Sequence, residues 1–308
     1  MNSRPKFFLP LVFFCGSIWL TVNNQYGEAF LCFFVMFALI FTMAVNKKNL
    51  EEDESNEEPT KRSFISDQPA CHIYYGEELN FENTELDQML NKRINYYNRL
   101  PDELKIRFLT RLQKFMSSKT FKIHSDTPFK EMPVLISAAA VQLTFGLEQY
   151  RLPNFEFIHV YPQEFMRIDE HISFLEGNVK GRTINLSWKH FLDGYATLED
   201  GQNVGLHELA HALYYQTFVV EENVDENFRD RYSDYTNDAN KAFQTETDIV
   251  GGLYSDYAVR NYQEFWAESV ELFFEKPDDL QRDYPQLYEN LKRLLNQDPA
   301  KHIVLLPA

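Results

Sequence analysis

One five-residue stretch limits what this chain can fold into more than any other: His207-Glu208-Leu209-Ala210-His211. Residues four apart stand one above the other on a helix. His207 and His211 therefore offer two imidazole nitrogens to a single point, with Glu208 one step round and facing the same space. That arrangement predicts a metal-bearing helix. Its other side carries Leu206, Leu209, Ala210 and Leu213, so it can be buried on one face while its polar trio looks into a cleft. Asp200 is the expected cap and Thr217 the approximate end. A third ligand has to come from elsewhere.

The segment that best supplies acid next to apolar bulk is Tyr257 to Pro277. On a helix, Glu264, Glu268, Glu271 and Glu275 make one acidic face. Acidic stripes usually face solvent, but Phe265, Leu272 and Phe273 demand burial here, and buried carboxylates need a cation. Asp256 is a competing third ligand. A metzincin site is excluded, because Tyr214 and Thr217 stand where glycine and a third histidine would be required. His72, His124, His159, His171, His190 and His302 lack ligand spacing and read as structural or exposed.

The apolar residues are unevenly spread. Residues 7–22 and 29–45 contain no charge and are each just long enough to span a bilayer. We expect two transmembrane helices over residues 1–46, an acidic linker over 47–70 and a folded domain over 71–308. No A-x-A-like site follows the first stretch, which argues against a cleaved signal peptide. Arg4, Lys6, Lys47 and Lys48 flank the outer ends of the pair. Both ends, and with them the folded domain, are therefore expected on the cytoplasmic side of the inner membrane.

Net charge is −16, and the first 48 residues hold a local +3, which leaves −19 for the rest. That sign repels phosphate, so nucleic acid is not an expected partner. Cys15 and Cys32 lie in the apolar stretches and Cys71 stands alone, so the folded domain has no internal disulfide and a reducing compartment fits.

Helical spacing recurs at Leu86, Leu90, Ile94 and Tyr97, with Thr84 as the expected cap, and at Leu104, Phe108, Leu112 and Phe115 after Pro101. A small-residue helix over about Pro133 to Leu147 is expected to pack under a sheet. Phe155–Tyr161 and Arg182–Ser187 read as strands, the second preceded by the turn residues Gly177, Asn178 and Gly181. An edge strand beside the metal helix could pair with an extended peptide; a purely structural hairpin fits the same residues. Phe228, Tyr232, Tyr235 and Ala239 mark another helix. A last one runs from Tyr284 to about Asn296, stopped by Asp298-Pro299.

Five stretches carry a resemblance: Leu186-Ser-Trp188; Asn203-Val-x-x-His207-Glu-Leu-Ala-His211; Tyr257-Ala with Glu264-Phe-Trp-Ala267; Glu271-Leu-Phe-Phe-Glu275-Lys-Pro277; and Asn296-Gln-Asp-Pro-Ala300. Through them the chain from Leu100 onward resembles the MtfA family of zinc peptidases, whose metal-site pattern is shared with the catalytic domain of anthrax lethal factor. The resemblance implies an α+β, zincin-like fold with flanking helices. It implies zinc held by His207, His211 and Glu264 with water in the fourth position, Glu208 as general base and Tyr257 as donor to the oxyanion. Glu268, one turn beyond Glu264, is our first expectation for the carboxylate that steadies the far nitrogen of His207, although the family more often has its acid at the place of Glu271. The membrane hairpin departs from the soluble members.

These readings predict a membrane-anchored, zinc-dependent peptidase acting on a peptide or protein. The alternative is a regulatory protein that sequesters a transcriptional repressor, a partner implied by the same resemblance. The intact Glu208 favours the enzyme, since a pure binder needs no general base.

Overall fold

The computed structural model describes residues 71–168, 172–197, 200–249, 251–301 and 303–304. Among these no helix is long and apolar enough to cross a membrane; the two apolar stretches and the acidic linker of the sequence reading lie outside them.

Period-two alternation builds a five-stranded sheet. Strand β1 (His72–Tyr75) runs antiparallel to β2 (Thr120–Ile123), which is parallel to β3 (Phe157–Tyr161). Away from the sheet, β4 (Phe165–Ile168) and β5 (Ile172–Leu175) form a separate antiparallel hairpin. The far edge is β6 (Gly177–Lys180), antiparallel to β7 (Thr183–Ser187), giving the order β1-β2-β3-β7-β6. The two strands expected from sequence, β3 and β7, are thus parallel neighbours rather than a hairpin.

Gly177 and Asn178 belong to the edge strand and not to a turn, because ladder pairing with β7 outweighs their weak strand propensity. Only Gly181 turns. Its φ of +59° takes the first central place of a two-residue hairpin, where glycine is needed.

Helix α1 (Asn83–Arg93) is capped by Glu82 and Glu85 in a reciprocal box, not by Thr84. Helix α2 (Asp102–Ser117) buries Phe108, Leu112 and Phe115. In α3 (Glu131–Thr144) every residue from Met132 onward is buried, and α2 is among its neighbours. Its small alanines allow that close approach.

Short α4 (Trp188–Ala196) leads to α5 (Val204–Tyr215), the helix of the His-Glu-x-x-His stretch, which continues into a π-helical turn at Gln216–Val220. Helix α6 (Glu226–Asp248) buries Phe228, Tyr235 and Ala239, as the spacing predicted. Then come α7 (Tyr262–Glu275), α8 (Pro277–Asp283) and α9 (Pro285–Leu295). Asn296, left-handed at φ +51°, ends α9 before Asp298-Pro299 is reached.

The core's decisive contact joins α5 to α7. Trp266 is 1% exposed, and its indole Nε1–H donates to the Ala210 carbonyl at 2.9 Å. A buried aromatic of this kind is worth about 3–5 kcal/mol against alanine. It fixes the two helices antiparallel, with the start of α7 opposite the histidines and its end opposite the start of α5.

Candidate metal centre

Helix α5 starts three residues later than expected. Its cap is Asn203, whose Oδ1 accepts from the Leu206 N–H at 3.1 Å, while Asp200 accepts from the Gln202 N–H. Starting there, the helix places the two imidazoles over the first turn of α7. His207 Nε2 lies 3.1 Å from His211 Nε2 and 3.1 Å from Glu264 Oε2, and His211 Nε2 lies 3.3 Å from the same oxygen. Ligands at about 2.0–2.1 Å from a tetrahedral zinc stand about 3.4 Å apart, so the three donors form one face of such a tetrahedron. Asp256 is not part of this group.

The tautomer supports the same reading. His207 Nδ1 is 2.6 Å from Glu271 Oε1, and an ionised carboxylate only accepts, so Nδ1 carries the hydrogen. That leaves Nε2 facing Glu264 Oε2, a contact that needs a proton or a metal cation between the two atoms. Burial pushes the His207 imidazole down, yet Glu264 and Glu271 outweigh it and raise its proton affinity well above the usual range. Burial likewise works to raise the Glu264 carboxyl, but the two histidines hold it at about 2. The point between the three donors therefore attracts positive charge, which suits a divalent ion.

Glu208 is 6% exposed, and its Oε2 finds no hydrogen-bond partner among the described residues. Burial, reinforced by Glu264 and Glu271 and opposed by His207, pushes its carboxyl up to about 8. Edge strand β6 presses directly on it: a Cβ at Gly177 would fall 2.5 Å from Glu208 Cγ. Glycine here lets the strand edge come close to the carboxylate.

Glu271, not Glu268, holds the far nitrogen of His207. Because α5 and α7 are antiparallel, the residue two turns beyond Glu264 meets the start of α5. There Glu271 Oε2 also accepts the Asn203 backbone N–H. Glu268 leans the other way and accepts from the N–H and hydroxyl of Ser255, at 2.6 and 2.5 Å. Of the acidic face predicted for α7, Glu268, Glu271 and Glu275 are thus spent on protein partners, which leaves Glu264 for the histidines.

Asn203 went unassigned in the sequence reading. Its Nδ2 donates to Glu275 at 3.0 Å while its backbone serves Glu271, so one fully buried side chain ties the cap of α5 to the end of α7. The available signal was its place four residues before His207, a cap position that favours asparagine.

Tyr257 is 46% exposed and precedes α7 on a turn. It shares a cleft of about 600 Å³ with His207, Glu208, Gly177 and Phe174. Its hydroxyl bonds to Glu264, and Arg260 stacks on its ring, 4.7 Å from the centroid. Burial, then the charges of Glu264 and Glu208, raise its pKa.

The family described as glucose-regulated metallo-peptidase M90 matches residues 77–295, more than half of the sequence. The chain belongs to that family. An uncharacterized protein of Synechocystis sp. (strain ATCC 27184 / PCC 6803 / Kazusa) is 24% identical over 228 residues, covering 68% of this chain and 83% of its own.

Proposed function

We propose that this M90 member is a zinc-dependent peptidase whose ligands are His207, His211 and Glu264. The observation that carries the reading is the triangle of donor atoms, 3.1, 3.1 and 3.3 Å on its sides, beside a buried carboxylate oxygen that lacks a partner among the described residues. Zinc, when bound, supplies a Lewis acid that polarises a carbonyl and lowers the pKa of water toward about 7.

The chain's own residues do the rest. Glu208 takes a proton from water and delivers it to the leaving amine; its buried, unpartnered oxygen and raised pKa suit a group that must hold a proton between those steps. Tyr257 turns its hydroxyl from Glu264 to the oxygen on which negative charge develops. The outer edge of β6 pairs with the extended backbone of the peptide, and Gly177 brings that backbone down to Glu208. Glu271 fixes the ring of His207. Residues 7–45 anchor the domain to the cytoplasmic membrane, with the cleft on the cytoplasmic side.

Digestion of a peptide library with and without chelator tests the activity. Glu208→Gln should keep its zinc and fold while turnover falls about 100-fold to 10,000-fold. If the variant cleaves at the parent rate, Glu208 is not the base; if neither protein cleaves and both bind a repressor, the sequestering role replaces the peptidase.

A further inference from the structure

A second set of metal-type donors lies outside the cleft centre. His190 Nε2 stands 3.1 Å from Glu164 Oε1 and 3.3 Å from Glu176 Oε1, and the three donor atoms all fall within 4.8 Å of one another. The two measured sides match those of the His207 triangle, and they match the roughly 3.4 Å between ligands of a tetrahedral ion. Sequence spacing gave no hint of it, since the donors come from two loops and a helix.

The imidazole and the loop that carries Glu176 are also held in place. Ser187, at the end of β7, lies 2.9 Å from His190 Nδ1 through its hydroxyl and caps α4 with the same atom. Its backbone N–H donates to the Glu176 carbonyl at 2.6 Å. One residue therefore orients the imidazole and pins the loop that carries one carboxylate, the outer support that metal-binding histidines require. His190 itself is mostly buried, with a side chain 15% exposed. Lys189 Nζ, 3.4 Å from His190 Nε2, is the competing cation, and it is shared with Asp193 at 3.4 Å.

We infer that Glu164, Glu176 and His190 bind a second divalent transition ion, of which zinc is the fitting example. One imidazole and two carboxylates suit zinc; the nitrogen donor disfavours calcium and magnesium, which take oxygen ligands. Glu164 directly precedes β4 and Glu176 directly follows β5, so the ion joins both feet of the β4–β5 hairpin to the start of α4. That hairpin carries Phe174, 70% exposed and on the wall of the cleft. The ion thus sets the angle at which an apolar side chain meets the peptide.

The test is zinc content of the full chain, stripped with chelator, reloaded with Zn2+ and dialysed. We expect about two equivalents in the parent and about one in the Glu164→Gln/Glu176→Gln variant, whose amides keep side-chain volume but ligate poorly. About one should also remain in His207→Ala/His211→Ala. A parent with a single zinc that disappears in the His207/His211 variant overturns this site, as does a parent with two equivalents unchanged by the two glutamines. A single zinc lost only with the glutamines sustains this site and overturns the metal reading of the cleft. As an independent check, zinc should slow proteolysis within 165–175 in the parent and not in the glutamine variant; equal rates with and without zinc in the parent count against the clamp.

Discussion

Tyr257 and Glu271 show how much one side chain's role depends on which partner it meets. If the Tyr257 hydroxyl serves the oxyanion, Tyr257→Phe lowers turnover about 100-fold to 1,000-fold with little change in apparent substrate affinity. Steady-state kinetics and a melting curve separate that from packing, which would lower Tm and leave turnover intact. For the carboxylates, Glu271→Gln should weaken zinc binding about 10-fold to 100-fold, because it disturbs the partner of His207 Nδ1. Glu268→Gln should leave zinc affinity near the parent value and loosen the Ser255 turn instead. Competition with a zinc chelator measures both, and the opposite ranking would restore Glu268 to the place first given to it.

At the level of elements, the legible parts were those fixed by local pattern. The apolar spacing of α2, α6 and α9 and the pairing of two histidines on α5 need only one helix to be read. What escaped was set by contacts distant in sequence. The start of α5 depends on Asn203 bonding to Glu271 and Glu275, about 70 residues away. The choice of Glu271 over Glu268 depends on α5 and α7 being antiparallel, and the edge strand was missed because Gly177 and Asn178 are turn residues by type. The same strand yields a prediction. Gly177→Ala drives a methyl against Glu208, so turnover should fall about 100-fold while zinc content stays at the parent level. Unchanged kinetics would mean that Glu208 can move without penalty and that its placement is not what limits the reaction.

Across the whole molecule, the described residues belong to a compact unit spanning Gln68–Ala308. The proposed anchor precedes it, and its orientation has a direct test. Single cysteines placed in the 23–28 link and near residue 60 should be labelled from opposite sides of the membrane, the first from outside. Labelling of residue 60 from outside would put the domain on the other face.

The bond that bolts α7 to α5 has a further consequence for anyone who wants to watch this protein at work. The chain has three tryptophans, Trp19, Trp188 and Trp266. Trp266 shares its helix with Glu264, and its indole holds the carbonyl of the residue next to His211. An indole so enclosed is an internal lamp beside the metal centre. Its emission should dim when a quenching ion such as Cu2+ replaces zinc, and recover on exchange, which gives an optical gauge of occupancy without any added dye.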